Sequence, residues 1–172
     1  MGNTNNYSNV LTFVIIIAFV AYGFYLIYLN IKRLLEFKKI KSEKFNYSNA
    51  YHYKDIKDWL IIYSALLVLL IVMFVKSLKG DDYYIIATYI FIILFTCSLM
   101  IEVFIRRTIV FGNENFLFDN KVIRYKDIKD IYLKGKFIKN YELKTYSNIT
   151  LNIPHKLGLE LISRRKIKGK KK

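Results

Sequence analysis

Few side chains in this sequence have the chemistry for catalysis or metal binding, and their spacing gathers none of them into a constellation. The two histidines, His52 and His155, stand far apart with no Cys/His cluster beside either. A metal site needs several such ligands close together, so each histidine is expected as a solvated or packed side chain. Cys97 is the single cysteine, which excludes an intramolecular disulfide framework. It lies in an apolar run, where burial disfavours the thiolate, and is expected to pack as a small hydrophobe. There is no phosphate-binding Gly-rich loop and no nucleophile elbow, and Gly135 and Gly169 are isolated. Glu102 stands near the end of an apolar run, four residues before Arg106, a spacing that suits an i,i+4 ion pair at an interface. No enzymatic activity, cofactor or metal is expected from this inventory.

The elements that must carry these residues are set by how apolarity and charge are distributed. Hydrophobic residues make up 54% of the 172, yet the formal net charge is +15. The two properties coexist because they are segregated along the chain. Residues 10–29 contain no charged side chain, and residues 59–75 and 83–101 repeat the pattern. About 20 residues at about 1.5 Å each cross the roughly 30 Å hydrocarbon layer of a bilayer. The second run reaches that length through residue 78 if Lys76 snorkels to the headgroups. Tyr25, Tyr28, Trp59, Tyr83 and Tyr84 sit at the ends of these runs, as interfacial aromatics do. Three transmembrane helices are therefore expected. The first is read as retained rather than as a cleaved signal peptide, because residues 1–9 contain no Lys or Arg and the apolar run is long. Apart from tyrosines the spans hold no further ionisable group, which argues against a transport or proton path.

Orientation follows from the cations. The segment after the first run carries Lys32, Arg33, Lys38, Lys39, Lys41, Lys44, Lys54 and Lys57, and the third run ends in Arg106 and Arg107. The positive-inside rule then puts the N-terminus outside and the C-terminus inside. The expected organisation is an extracytoplasmic segment 1–9, a helix 10–29, a basic cytoplasmic loop 30–58, a helix 59–78, an external turn 79–82, a helix 83–105, a cytoplasmic β-rich domain 106–163 and a basic tail 164–172. Leu34, Leu35, Phe37 and Ile40 suit an amphipathic helix extending the first span. Heavy use of Lys, Ile, Asn, Tyr and Phe reads as an AT-rich genome, hence a low-GC bacterium.

Beyond residue 107 the pattern changes to short alternating stretches. Residues 108–111 read as a strand leaving the membrane. Phe116-Leu117-Phe118 and Val122-Ile123-Arg124-Tyr125 flank Asp119-Asn120-Lys121, a tight hairpin turn. Residues 131–133, 141–146 and 149–153 continue the series, the last alternating apolar and polar side chains, with Pro154 ending it. Leu157, Leu161 and Ile162 then share a helical face, with Glu160 and Arg164 spaced for an ion pair. The hexapeptide Tyr53-Lys54-Asp55-Ile56-Lys57-Asp58 recurs as Tyr125-Lys126-Asp127-Ile128-Lys129-Asp130. Compositional bias accounts for it more simply than duplication.

Asn115-Phe116-Leu117-Phe118, then Val122 to Ile131, a late strand and a short amphipathic helix resemble the bacterial pleckstrin-homology-like domains of small Firmicutes membrane proteins. In those domains an aromatic, one residue, then Asp-Ile often stands between early strands, and Tyr125 to Ile128 looks like that element. The resemblance covers about a third of the chain. It implies a membrane α-helical protein with a small C-terminal β-rich, pleckstrin-like cytoplasmic domain, with no catalytic residues to carry over. The segment is shorter than a full pleckstrin-like barrel, so one strand is expected to be missing.

Lys and Arg near an anionic leaflet contribute about 1 kcal/mol each. The cations placed to do so are Lys32, Arg33, Lys38, Lys39, Arg106, Arg107, Arg164, Arg165, Lys166 and Lys168. Expected partners are the bilayer, anionic headgroups and a membrane or cytoplasmic protein. Nucleic acid is not expected, since no nucleic-acid module is recognisable, and no GxxxG pattern signals self-association. The leading expectation is a non-enzymatic inner-membrane protein binding a protein partner or anionic lipid. Resemblance also raises immunity against a membrane-active bacteriocin, and an accessory subunit of a membrane enzyme or transporter is a third class.

Overall fold

Alternating and charge-free runs become separate elements in the computed structural model, which describes residues 4–45, 50–80, 82–136 and 139–169. Residues 1–3, Asp81 of the expected external turn, and Lys170, Lys171 and Lys172 of the expected tail lie outside the described residues. The order is α1 (Thr4–Lys44), β1 (Tyr51–Lys54), α2 (Lys57–Ser77), α3 (Tyr83–Arg106), β2 (Thr108–Phe111), β3 (Asn115–Phe118), β4 (Lys121–Arg124), a 3₁₀ turn (Tyr125–Asp127), β5 (Ile128–Lys134), β6 (Asn140–Thr145), β7 (Thr150–Pro154) and α4 (His155–Gly169). The chain divides into two units. One comprises the chain through Lys32 together with Lys57–Glu102; the other comprises Arg33–Ile56 and Val103–Lys172.

The helical unit holds three helices long and apolar enough to cross a membrane. Of their most apolar stretches only 6%, 6% and 17% is buried within the protein, so the bulk of their aliphatic surface needs an apolar surrounding. Asp82 caps α3, its carboxylate accepting the Tyr84 and Ile85 amides at 2.9 and 3.4 Å. Where α1 and α3 meet, Gly23 lets the backbone approach Leu94: a Cβ there would lie 3.1 Å from that side chain. Lower on the same pair, Asn30 donates to the Ser98 hydroxyl at 2.8 Å and to its carbonyl at 3.2 Å. Both residues are buried, and an amide in that setting must find a partner between helices.

The second unit is β-rich. A four-stranded antiparallel sheet runs β1-β2-β3-β4 and a three-stranded antiparallel sheet runs β5-β6-β7. The β3–β4 hairpin closes through Asp119 and Asn120, both at positive φ (47° and 60°), the backbone that a two-residue primed turn demands and that Asx residues tolerate. Period-two alternation then sorts side chains to two cores. Ile109, Phe111, Phe116, Phe118 and Ile123 face Ile128, Leu143, Leu151 and Ile153 of the second sheet and Leu157 and Leu161 of α4. Val110 and Leu117, one residue out of phase, face Phe37 and Phe45 of the α1 end and Ile105. The first sheet is thus covered on both faces, and β2 is buried at every position. Leu34 and Ile40 join the second core beside Phe37, whereas Leu35 points outward, 59% exposed.

Strand β1 lies inside the segment read from the sequence as a basic loop. Its register, Tyr51 opposite Phe111 through Lys54 opposite Thr108, places it at the edge of the first sheet. With it the described residues of this unit form seven strands, six from the chain after α3 and one from the connection between α1 and α2.

Candidate binding surface

The charged groups of the β-rich unit sort into internal staples and exposed cations. The Asp119–Asn120 turn is clamped to α1: Arg33 bonds the Asp119 carboxylate at 2.8 Å, and the Asn120 amide donates to the Arg33 carbonyl at 3.0 Å and to Glu36 at 3.2 Å. Asp55, its side chain 13% exposed, takes Lys156 of α4 at 3.1 Å and Arg107 at 3.4 Å. Its amide also donates to the Arg107 carbonyl at 2.9 Å. One carboxylate therefore ties the end of β1 to the start of β2 and to α4.

Arg164 forms the expected i,i+4 bond to Glu160 at 2.9 Å. Its guanidinium carbon also lies 3.9 Å from the Tyr51 ring centroid and 4.8 Å from that of Phe111, while the two rings stack at 6.2 Å. A guanidinium over two aromatic faces holds the last turns of α4 against the β1–β2 edge. Of the remaining cations named from the sequence, Lys32, Lys38, Lys39 and Arg106 are exposed, Lys39 lying 4.0 Å from Glu43. Arg165, Lys166 and Lys168 belong to α4, and their side chains lie outside the described residues.

On the outer face of the second sheet, Glu142 is held by the Tyr132 hydroxyl, by Lys134 at 2.7 Å and by Lys144 at 3.8 Å. The Lys134 and Tyr132 hydrogen bonds push the Glu142 carboxyl below its usual range. In return Glu142 raises Lys134, and the Tyr132 hydroxyl raises Lys144. The carboxylate orients two exposed ammonium groups and presents no nucleophile.

The histidines are placed apart in role. His155 opens α4 and stacks on Tyr141 at 5.5 Å between ring centroids. His52 sits on β1, where burial first, and then Lys41 and Lys54, hold its imidazole below the ordinary value. Cys97 is partly buried in α3. Among the described residues no three His, Cys, Asp or Glu side chains gather as metal ligands would.

Edge strand β1 was not foreseen from the sequence. Its signal was the alternation Tyr51-His52-Tyr53-Lys54, aromatic then polar, at a period of two. Because the Asp55 amide bonds to the Arg107 carbonyl, the antiparallel alternation turns the main-chain groups of Tyr51 and Tyr53 toward β2 as well. The N–H and C=O groups of His52 and Lys54 face the other way, onto the edge of the sheet where no further strand is paired among the described residues. No family model, curated protein or solved structure matches the chain.

Proposed function

We propose that the chain is a bacterial cell-membrane protein with three spans, its N-terminus outside, whose β-rich unit is a non-enzymatic, pleckstrin-like binding module on the cytoplasmic side. The observation that carries this reading is the pairing of β1 with β2. These strands precede α2 and follow α3 in the chain, which supports a reading with the start of α2 and the end of α3 on the same side of a membrane. That arrangement fits two crossings between them. Cations dense in 32–57 and beyond 105 favour the inner side. Four- and three-stranded sheets around one core, followed by a helix, support the pleckstrin-like assignment.

The module is suited to a protein partner or to anionic headgroups. Arg33, Arg107 and Arg164 are ion-paired within the unit, which weakens the headgroup alternative and favours a protein. Two experiments test the proposal. Single cysteines placed near each terminus of a Cys97→Ser protein should show only the N-terminal site labelled by an impermeant maleimide on intact cells; a labelled C-terminus overturns the topology. Purification in mild detergent with mass spectrometry should recover a bound protein, and recovery of neither protein nor lipid removes support for a binding module.

A further inference from the structure

We infer that the open edge of β1 takes up an extended segment of a protein partner in which acidic residues alternate with apolar ones, adding it as a fifth, antiparallel strand to the β1-β2-β3-β4 sheet. The inference rests on the reading of the β-rich unit as a binding module and specifies where and what it binds.

Three features of the edge determine the partner. The first is the backbone. His52 and Lys54 turn their amides and carbonyls outward, and neither has a hydrogen-bond partner among the described residues. Such a row of groups is a template for another strand. Every strand pair in this unit is antiparallel, so the incoming strand is added in that sense.

The second feature is the difference between the two faces of the edge. Side chains of His52 and Lys54 share the face on which Val110 meets the end of α1, and Lys41 stands close enough to act on His52. Neither Lys41 nor Lys54 has an ion pair among the described residues, and Lys54 is exposed. On the opposite face Tyr51 is 42% exposed and stacks under Arg164, whose own charge is taken by Glu160. One face of the edge is cationic and the other is an aromatic platform. An incoming strand, whose side chains also alternate, meets the first with carboxylates and the second with aliphatic or aromatic groups.

The third feature excludes a second copy of this chain. Two β1 edges paired antiparallel would set Lys54 and the Lys41 side of each strand against those of the other, and like charges facing each other across a ladder are destabilising. A net charge of +15 adds to that repulsion.

Register makes the inference sharp. Residues directly opposite one another share a face, so those opposite His52 and Lys54 carry the carboxylates and also donate the amides that reach β1. The full-length protein in zwitterionic nanodiscs should bind a fluorescein-labelled Thr-Glu-Val-Glu-Val-Glu peptide. N-methylation of its Glu amides should weaken binding by about tenfold or more, while N-methylation of its Val amides should change it by less than about threefold. Replacing Glu by Lys in the peptide should abolish binding. In hydrogen exchange the peptide should slow the His52 and Lys54 amides and leave those of Tyr51 and Tyr53 unchanged. Equal effects of the two methylations, or no peptide binding, overturn the inference. So does protection of His52 and Lys54 by phosphatidylglycerol vesicles but not by the peptide, which would make the edge a lipid contact. Binding of another protein while His52 and Lys54 exchange freely would refute this edge yet leave the module intact.

Discussion

Gly158 of α4 packs closely on Tyr141, and replacing it with Ala separates two effects of opposite sign. At an exposed helical site Gly→Ala stabilises by about 0.8–1 kcal/mol through the helix propensity of Ala. Here a Cβ at Gly158 would lie 2.9 Å from Cβ and 2.7 Å from Cγ of Tyr141, with further overlap on the ring. Contact with Cβ means that rotating the tyrosine cannot relieve the overlap, and α4 must move off β6. The helix is held there by Leu157 and Leu161, both fully buried. Overpacking of this kind costs about 1–3 kcal/mol, which exceeds the propensity gain. We expect Gly158→Ala to lower the opening free energy of β6 and α4 amides by up to about 2 kcal/mol, the overpacking cost less the propensity gain, seen as exchange faster by up to about 30-fold in the purified full-length protein. Tyr141→Ala removes the ring but keeps its Cβ, so in the double variant the added cost of the Gly158 change should shrink without vanishing. An increase in protection for Gly158→Ala would refute the close-packing argument.

Asp55→Asn should destabilise the β-rich unit by about 1–2 kcal/mol, between the values for exposed and buried pairs, because its side chain is largely buried while Lys156 is half exposed; an unchanged melting temperature would show the staple to be inert. The turn offers a cleaner comparison. Asn120→Gly keeps the φ of 60° but loses both bonds to α1, whereas Asn120→Ala loses the bonds and strains the backbone. Thermal melts should therefore rank wild type above Gly, and Gly above Ala. For pH, His52 has a folded pKa below its ordinary 6.5, so the unfolded chain binds more protons on acidification. Its stabilising contribution is full above about pH 6.5 and is lost as pH falls through the folded value. His52→Gln should flatten the decline of the melting temperature between about pH 7.5 and 5, and an unaltered slope would exclude His52 as a source.

Local chemistry was legible wherever a residue's role depends on near neighbours in the chain. Charge-free runs marked the three long apolar helices. Alternation marked β2, β3 and β7, and Asp119-Asn120-Lys121 marked a hairpin turn, of which Asp119 and Asn120 take the positive φ while Lys121 already begins β4. The spacing of Glu160 and Arg164 foretold their ion pair. The amphipathic pattern after residue 32 was readable too, except that Leu35 turned out to face away from the core formed by Phe37 and Ile40.

Long-range pairing was not legible. The repeated hexapeptide illustrates why. Tyr53 to Asp58 ends a strand and starts a helix, whereas Tyr125 to Asp130 forms a 3₁₀ turn and starts a strand. Both tyrosines pack on the same core, but Asp55 meets Arg107 and Lys156 while Asp127 meets Arg124. Identical local preferences yielded to different surroundings, as short segments do when burial outweighs propensity. By itself the sequence determined which segments are apolar, which alternate and where the cations lie, because those properties are carried by consecutive side chains. Only the tertiary structure decided that four residues from between two apolar helices complete a sheet begun after the third, since a strand's partner is chosen by shared core and backbone hydrogen bonds across the intervening chain.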